Sequence, residues 1–141
     1  MPVEIQWDDD SHTILRLDIH GQASWDEYHQ KIDEIVEQLA DSPHRVDLIM
    51  NIMSNMPPGQ PISHLERAVR RFNTSPALRY TATVLNGHRV SSFTEIIVYA
   101  VLRLNRVDMS RNAGFYSTLD EARAALARKR EADSTLDTRM A

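Results

Sequence analysis

The chain has 141 residues, 42% hydrophobic and 26% charged, with a formal net charge of -4, a pI near 5.8 and no cysteine. That length fits one domain with a core of its own. The acidic balance argues against a general nucleic-acid binder, and the missing cysteine excludes disulfides, thiolate catalysis and cysteine-ligated metals.

No apolar run reaches the length of a membrane span. The start, with Glu4, Asp8, Asp9 and Asp10, is not that of a signal peptide, so a cytoplasmic protein is expected.

Val3, Ile5 and Trp7 alternate with polar residues, the period of a half-buried strand. After the polar turn Asp8–Ser11, Leu15, Leu17 and Ile19 alternate with Ile14, Arg16 and Asp18, which predicts a second strand and an antiparallel hairpin. Ser24 and Glu27 form a capping box ahead of Trp25, Tyr28, Ile32, Ile35, Val36 and Leu39, one apolar helical stripe. Asp41-Ser-Pro43 stops that helix.

Val46–Ile52 follows as a continuous apolar run, the mark of a strand buried on both faces. Its carboxyl end opens into Met53–Pro61, where ligands gather in open α/β sheets. A second helix is expected with Pro61 early, Ser63 and Glu66 as its capping box, and Ile62, Leu65, Val69 and Phe72 buried.

Tyr80–Leu85 is rich in β-branched residues and predicts a strand. Ser92 with Glu95 caps an apolar helix over residues 93–107, Gly114–Tyr116 is a short strand, and Thr118 with Glu121 starts a last helix to about Arg130.

The alternation predicts one α/β domain over residues 1–130. Its sheet is mostly parallel and five-stranded, with an N-terminal antiparallel hairpin and four covering helices. Residues 131–141 lose apolar periodicity and are expected to be a disordered tail.

This order resembles the STAS domain, the SpoIIAA-like fold of anti-sigma-factor antagonists and of SEC14-like STAS proteins. The matching pieces are the hairpin before Ser24, the Val46–Ile52 strand and its helix, the Ala82–Leu85 strand, and the ending Phe115-Tyr-Ser-Thr-Leu-Asp-Glu-Ala122. The resemblance implies a regulatory domain switched by phosphorylation of a serine after the central strand. Antagonists carry Asp-Ser-Ser/Thr-Gly there, whereas this chain reads Asn51-Ile-Met-Ser-Asn-Met-Pro-Pro-Gly59. Ser63, and after it Ser54, are the nearest candidates, with Arg67 one turn beyond Ser63 to meet an anion.

Other chemistry is thinly marked. The six histidines, at positions 12, 20, 29, 44, 64 and 88, show no metal-ligand spacing and read as surface or locally bonded side chains. Asp8-Asp-Asp10 lacks the glycine and distal glutamate of a calcium loop and reads as a solvated turn. Neither a nucleophile elbow nor a phosphate loop is present, which makes an enzyme the third choice. No cofactor or metal is implied.

Met50, Asn51, Met53, Asn55, Met56 and Gly59 are the candidate ligand or partner loop, read either as an adaptable binding lip or as a surface crossover. Arg67, Arg70, Arg71, Arg79 and Arg89 could receive an acidic partner, but a solvated helix face is the simpler reading. On helix 93–107, Val98, Tyr99 and Leu102 lie away from the core stripe and are the candidate homodimer or partner face.

The expectation is a non-enzymatic STAS-like regulatory or protein-interaction domain. The alternative is a small-molecule binder for a lipid or nucleotide, of the SEC14-like type.

Overall fold

A computed structural model of the chain describes residues 3–21, 23–54, 61–85, 103 and 113–140, with Pro61 and residues 133–140 described by backbone alone. The elements run β1 (Val3–Trp7), β2 (Ile14–Ile19), α1 (Trp25–Ala40), β3 (Val46–Ile52), α2 (Pro61–Asn73), β4 (Leu78–Leu85), β5 (Ala113–Tyr116) and α3 (Leu119–Met140).

The five strands form one sheet in the order β1-β2-β3-β4-β5. β1 and β2 are antiparallel, pairing Val3 with Ile19 and Trp7 with Leu15. The remaining neighbours are parallel. The expected sheet and hairpin are therefore found, and the apolar run Val46–Ile52 is the middle strand. Among the described residues three helices cover the sheet; the helix expected over residues 93–107 lies outside them.

Strand alternation sorts the side chains into two layers. Leu15, Leu17, Ile19, Val46, Leu48 and Met50 face α1 and α2, where Ile32, Ile35, Leu39 and Ala68 complete a large apolar core. On the other face Ile49, Ala82 and Val84 meet Ala122 and Leu126 of α3 in a smaller cluster.

A bulge sets the second face. The register steps from Val46 opposite Leu78 to Leu48 opposite Thr81, so Arg79 and Tyr80 together oppose Asp47. Arg79 reaches the Asp47 carboxylate at 2.9 Å and Tyr80 joins the α3-side cluster.

Three details differ from the sequence reading. The second helix begins at Pro61, so Ser63 stands inside its first turn and is not the N-cap. Pro at the first helical position loses no hydrogen bond there, which lets the helix begin three residues before the His64 start that a Ser63 cap implies. Its buried face is Leu65, Ala68 and Phe72, while Ile62 is exposed.

The last helix does not stop near Arg130 but continues to Met140. The final residues lack apolar periodicity, yet they also lack glycine and proline, so no breaker interrupts the helix there.

The expected solvated turn is the third. Asp8 is nearly buried, bound by Arg16 and by Arg123 of α3 at 2.7 Å. Asp9 accepts from the Thr13 and Ile14 amides, four and five residues on, and so closes the turn. Asp10 alone is exposed.

Candidate functional site

β2 and β3 both end at the same edge of the sheet, and the chain returns from that edge as α1 and α2. The first turns of the two helices therefore lie together at the carboxyl ends of the parallel strands. Ser24 caps α1 by accepting from the Glu27 amide at 3.1 Å, and its hydroxyl lies 3.3 Å from the Glu27 carboxylate. The cap fixes Trp25 as the first helical residue, and Trp25, His29 and Ile32 then follow on one buried stripe.

His29 of α1 meets His64 of α2 through Nε2 and Nδ1, 2.9 Å apart, one nitrogen donating and the other accepting. The Trp25 ring stacks on His64 at 4.6 Å and 10°. Tyr28 stands edge-on to both Trp25 and His29. Burial, with the positive charge of Arg67 and the neighbouring His64, holds His29 below the usual imidazole value, while Asp33 and Asp26 pull the other way. Burial also raises the Tyr28 phenol, which keeps it neutral.

Two polar atoms on the segments leaving this edge are buried without a hydrogen-bond partner among the described residues, Trp25 Nε1 and Ser54 Oγ. Such groups are uncommon, and each costs stability comparable to a lost hydrogen bond.

The expected site residues separate. Ser63 and Arg67 are exposed on α2. Ser54 is half-buried just beyond β3. Met50 points into the α1/α2 core and Asn51 into the opposite layer, because neighbours in a strand face opposite ways. There the buried Asn51 amide donates at 2.7 Å to the buried Asp18, which also accepts from the exposed Gln6 and the half-buried Arg16. Asn51 is thus buried, at 4% exposure. Met53 is half-buried, and Asn55, Met56 and Gly59 lie outside the described residues, as do Val98, Tyr99 and Leu102.

The arginine cluster also divides. Arg71 pairs with Asp33 at 2.8 Å, Arg70 with Glu66 at 3.7 Å, and Arg79 is committed to Asp47; Arg89 lies outside the described residues.

Sequence reasoning missed the His29–His64 contact. The partners are 35 positions apart on different helices. One signal was available, since His29 occupies an apolar-stripe position four residues after Trp25. Elsewhere His12 stacks on Trp7 at 4.5 Å with φ of 56°, and His20 lies 3.7 Å from Glu4. Among the described residues no three histidine, aspartate or glutamate side chains gather as a metal site, and no helix is long and apolar enough to cross a membrane.

Comparison of the chain with protein-family models, with curated proteins and with solved structures finds no match in any of the three.

Proposed function

We propose that the chain is a non-enzymatic, STAS-like regulatory or protein-interaction domain whose working surface is the edge where α1 and α2 begin. The observation that supports it is the two-sided first turn of α2. Ser63 and Arg67 face solvent one turn apart, while His64 and Leu65 pack inward against α1 and the core. A group added at Ser63 would sit at the positive end of α2 with a charge of about -1.5 to -2, beside Arg67 and next in sequence to the residue that docks the helix. A modification there acts on both the exposed and the docked side of one turn.

Phosphopeptide mapping after expression with the cognate kinases tests this reading. Modification at Ser63, or second at Ser54, is the expected result. Modification only elsewhere, or none with a competent kinase, removes the switch. A homodimer through Val98, Tyr99 and Leu102 belongs to the same reading, and a V98E/L102E variant should then sediment as a monomer with its fold intact.

The second reading, a small-molecule binder at the same edge, draws on the unsatisfied Trp25 Nε1 and Ser54 Oγ. A ligand with hydrogen-bond acceptors could satisfy the indole N–H. Native mass spectrometry of freshly purified protein separates the two, because a retained lipid or nucleotide adds a defined mass to the chain.

A further inference from the structure

We propose that the His29–His64 contact is a proton-operated latch, which holds the first turns of α2 against α1 when the pair is neutral and releases them when both imidazoles are charged. The proposal stands on the contact between two helices and does not depend on phosphorylation of Ser63 or on any ligand.

The chemistry of the pair decides the behaviour. Two neutral imidazoles 2.9 Å apart share one N–H···N hydrogen bond. A single added proton converts this to a charge-assisted bond and leaves the contact in place. A second proton puts two N–H groups and two positive charges face to face, and neither nitrogen can then accept.

The surroundings set how strongly the doubly charged state is disfavoured. From α2, Arg67 adds a third positive charge; from α1, Asp26 and Asp33 oppose it. Asp33 is already engaged by Arg71 at 2.8 Å, which reduces the compensation it offers. Tyr28 remains neutral, and the sheet layer beneath is apolar. Among the described residues no third metal-type ligand gathers beside the pair.

The sign follows from the direction of the His29 shift. Its imidazole takes up a proton less readily in the docked state than when exposed. The docked state is therefore fully favoured above pH 6.5, the usual histidine value; below it the first proton leaves the contact in place and the second loses it.

α2 is built to give way. Among its described side chains only Ala68 is fully buried, Leu65 and Phe72 are half-buried, its ion pair to Asp33 of α1 is exposed, and the Arg70–Glu66 pair lies within α2 itself. Release of the first turns would also unstack Trp25 from His64, which supplies an optical report.

The test uses the full chain carrying Trp7→Phe, so that Trp25 is the single indole. Its fluorescence is followed from pH 8 to pH 5, with amide hydrogen exchange of α2, corrected for the intrinsic rate, at pH 7.5 and 5.5. The expected result is a cooperative fluorescence change below pH 6.5 and a fall in α2 protection, about tenfold for each pH unit separating the docked and released affinities. β3 and the first turns of α3 should keep their protection. His29→Gln should abolish the pH dependence, and His64→Gln should weaken it, since burial and Arg67 still act on His29. His64 is half-exposed, so H64Q keeps the test open even if H29Q folds poorly. Unchanged α2 protection, or the same pH response in H64Q, would overturn the latch.

Discussion

The two faces of the sheet are held by different physics. On the α1/α2 face the contacts are almost all apolar, from Val3 across to Met50, with Ile32, Ile35 and Leu39 fully buried above them. On the α3 face the apolar cluster is small, and arginines bind the helix to the strands. Arg123 reaches Asp8, and seven residues on, two turns along the same side of α3, Arg130 reaches Asp47 at 2.8 Å and the Thr13 carbonyl at 2.6 Å. Arg79 completes the Asp47 node from β4. The difference teaches where the molecule can move. A layer tied by ion pairs on buried carboxylates breaks as a unit, whereas a helix lying on an apolar surface by a half-buried stripe can lift at one end.

The largest effect should come from the Asp47 node. Asp47 is completely buried between two guanidiniums. Asp47→Ala removes the buried carboxylate that both guanidiniums share, and loss of one partner of a buried pair costs about 3–5 kcal/mol. Leu48→Ala, next in sequence but on the other face, should cost about 2–5 kcal/mol through a cavity. Urea unfolding distinguishes them by coupling. D47A should be non-additive with Arg130→Ala by about 0.5–3 kcal/mol, and L48A should add to R130A independently.

Next is Gly114 on β5. A β-carbon there would fall on the Tyr80 hydroxyl, which hydrogen-bonds the Tyr116 hydroxyl at 3.0 Å. Gly114→Ala should cost about 1–3 kcal/mol, the usual range for overpacking. The same variant with Tyr80→Phe should recover part of the loss, measured by thermal melting.

Acid should also separate the faces. The Arg123 guanidinium, together with Arg16, holds Asp8 below its ordinary value despite partial burial. At Asp9, partial burial is outweighed by hydrogen bonds from Thr13, the Ile14 amide and Ser11, which bring it down to about 2. Groups depressed in the folded state stabilise above the unfolded value, near 3.8, and lose that contribution as the pH falls toward 2. Melting temperature should therefore fall through that window, and Asp9→Asn should flatten the fall. The His29–His64 contact responds in a separate, higher window below pH 6.5.

The smallest effect belongs to Arg70, whose pair with Glu66 is long and exposed. Arg70→Ala should change stability by less than about 0.5 kcal/mol. A larger loss would mean that α2 is tied more firmly than its burial indicates.

Much of the architecture was legible in the chain because it is written locally. Alternation in Val3–Trp7 and Ile14–Ile19, the unbroken apolar run of β3 and the Ser24–Glu27 box each act over a few residues. The Thr118–Glu121 box was legible too: Glu121 donates its amide to Thr118, although its carboxylate accepts from Ser117. What escaped was set at long range. Asp18, Asn51 and Asp47 sit on strands that read as amphipathic or apolar, and only the tertiary fold brings them to partners 32, 33 and 83 positions away. His29 and His64 meet for the same reason. Ser63 was misplaced by a local cause, since two start signals, Pro61 and the Ser63–Glu66 box, competed within three residues and the proline won.

Residue-resolved amide exchange of the wild-type chain at pH 7.5 in a series of low denaturant concentrations tests the comparison most directly. We predict that α2 opens first, in a step exposing less surface than global unfolding, while β3 and the first turns of α3 exchange only with the whole molecule. Opening of α3 before α2, or exchange of both helices in one global step, would contradict it.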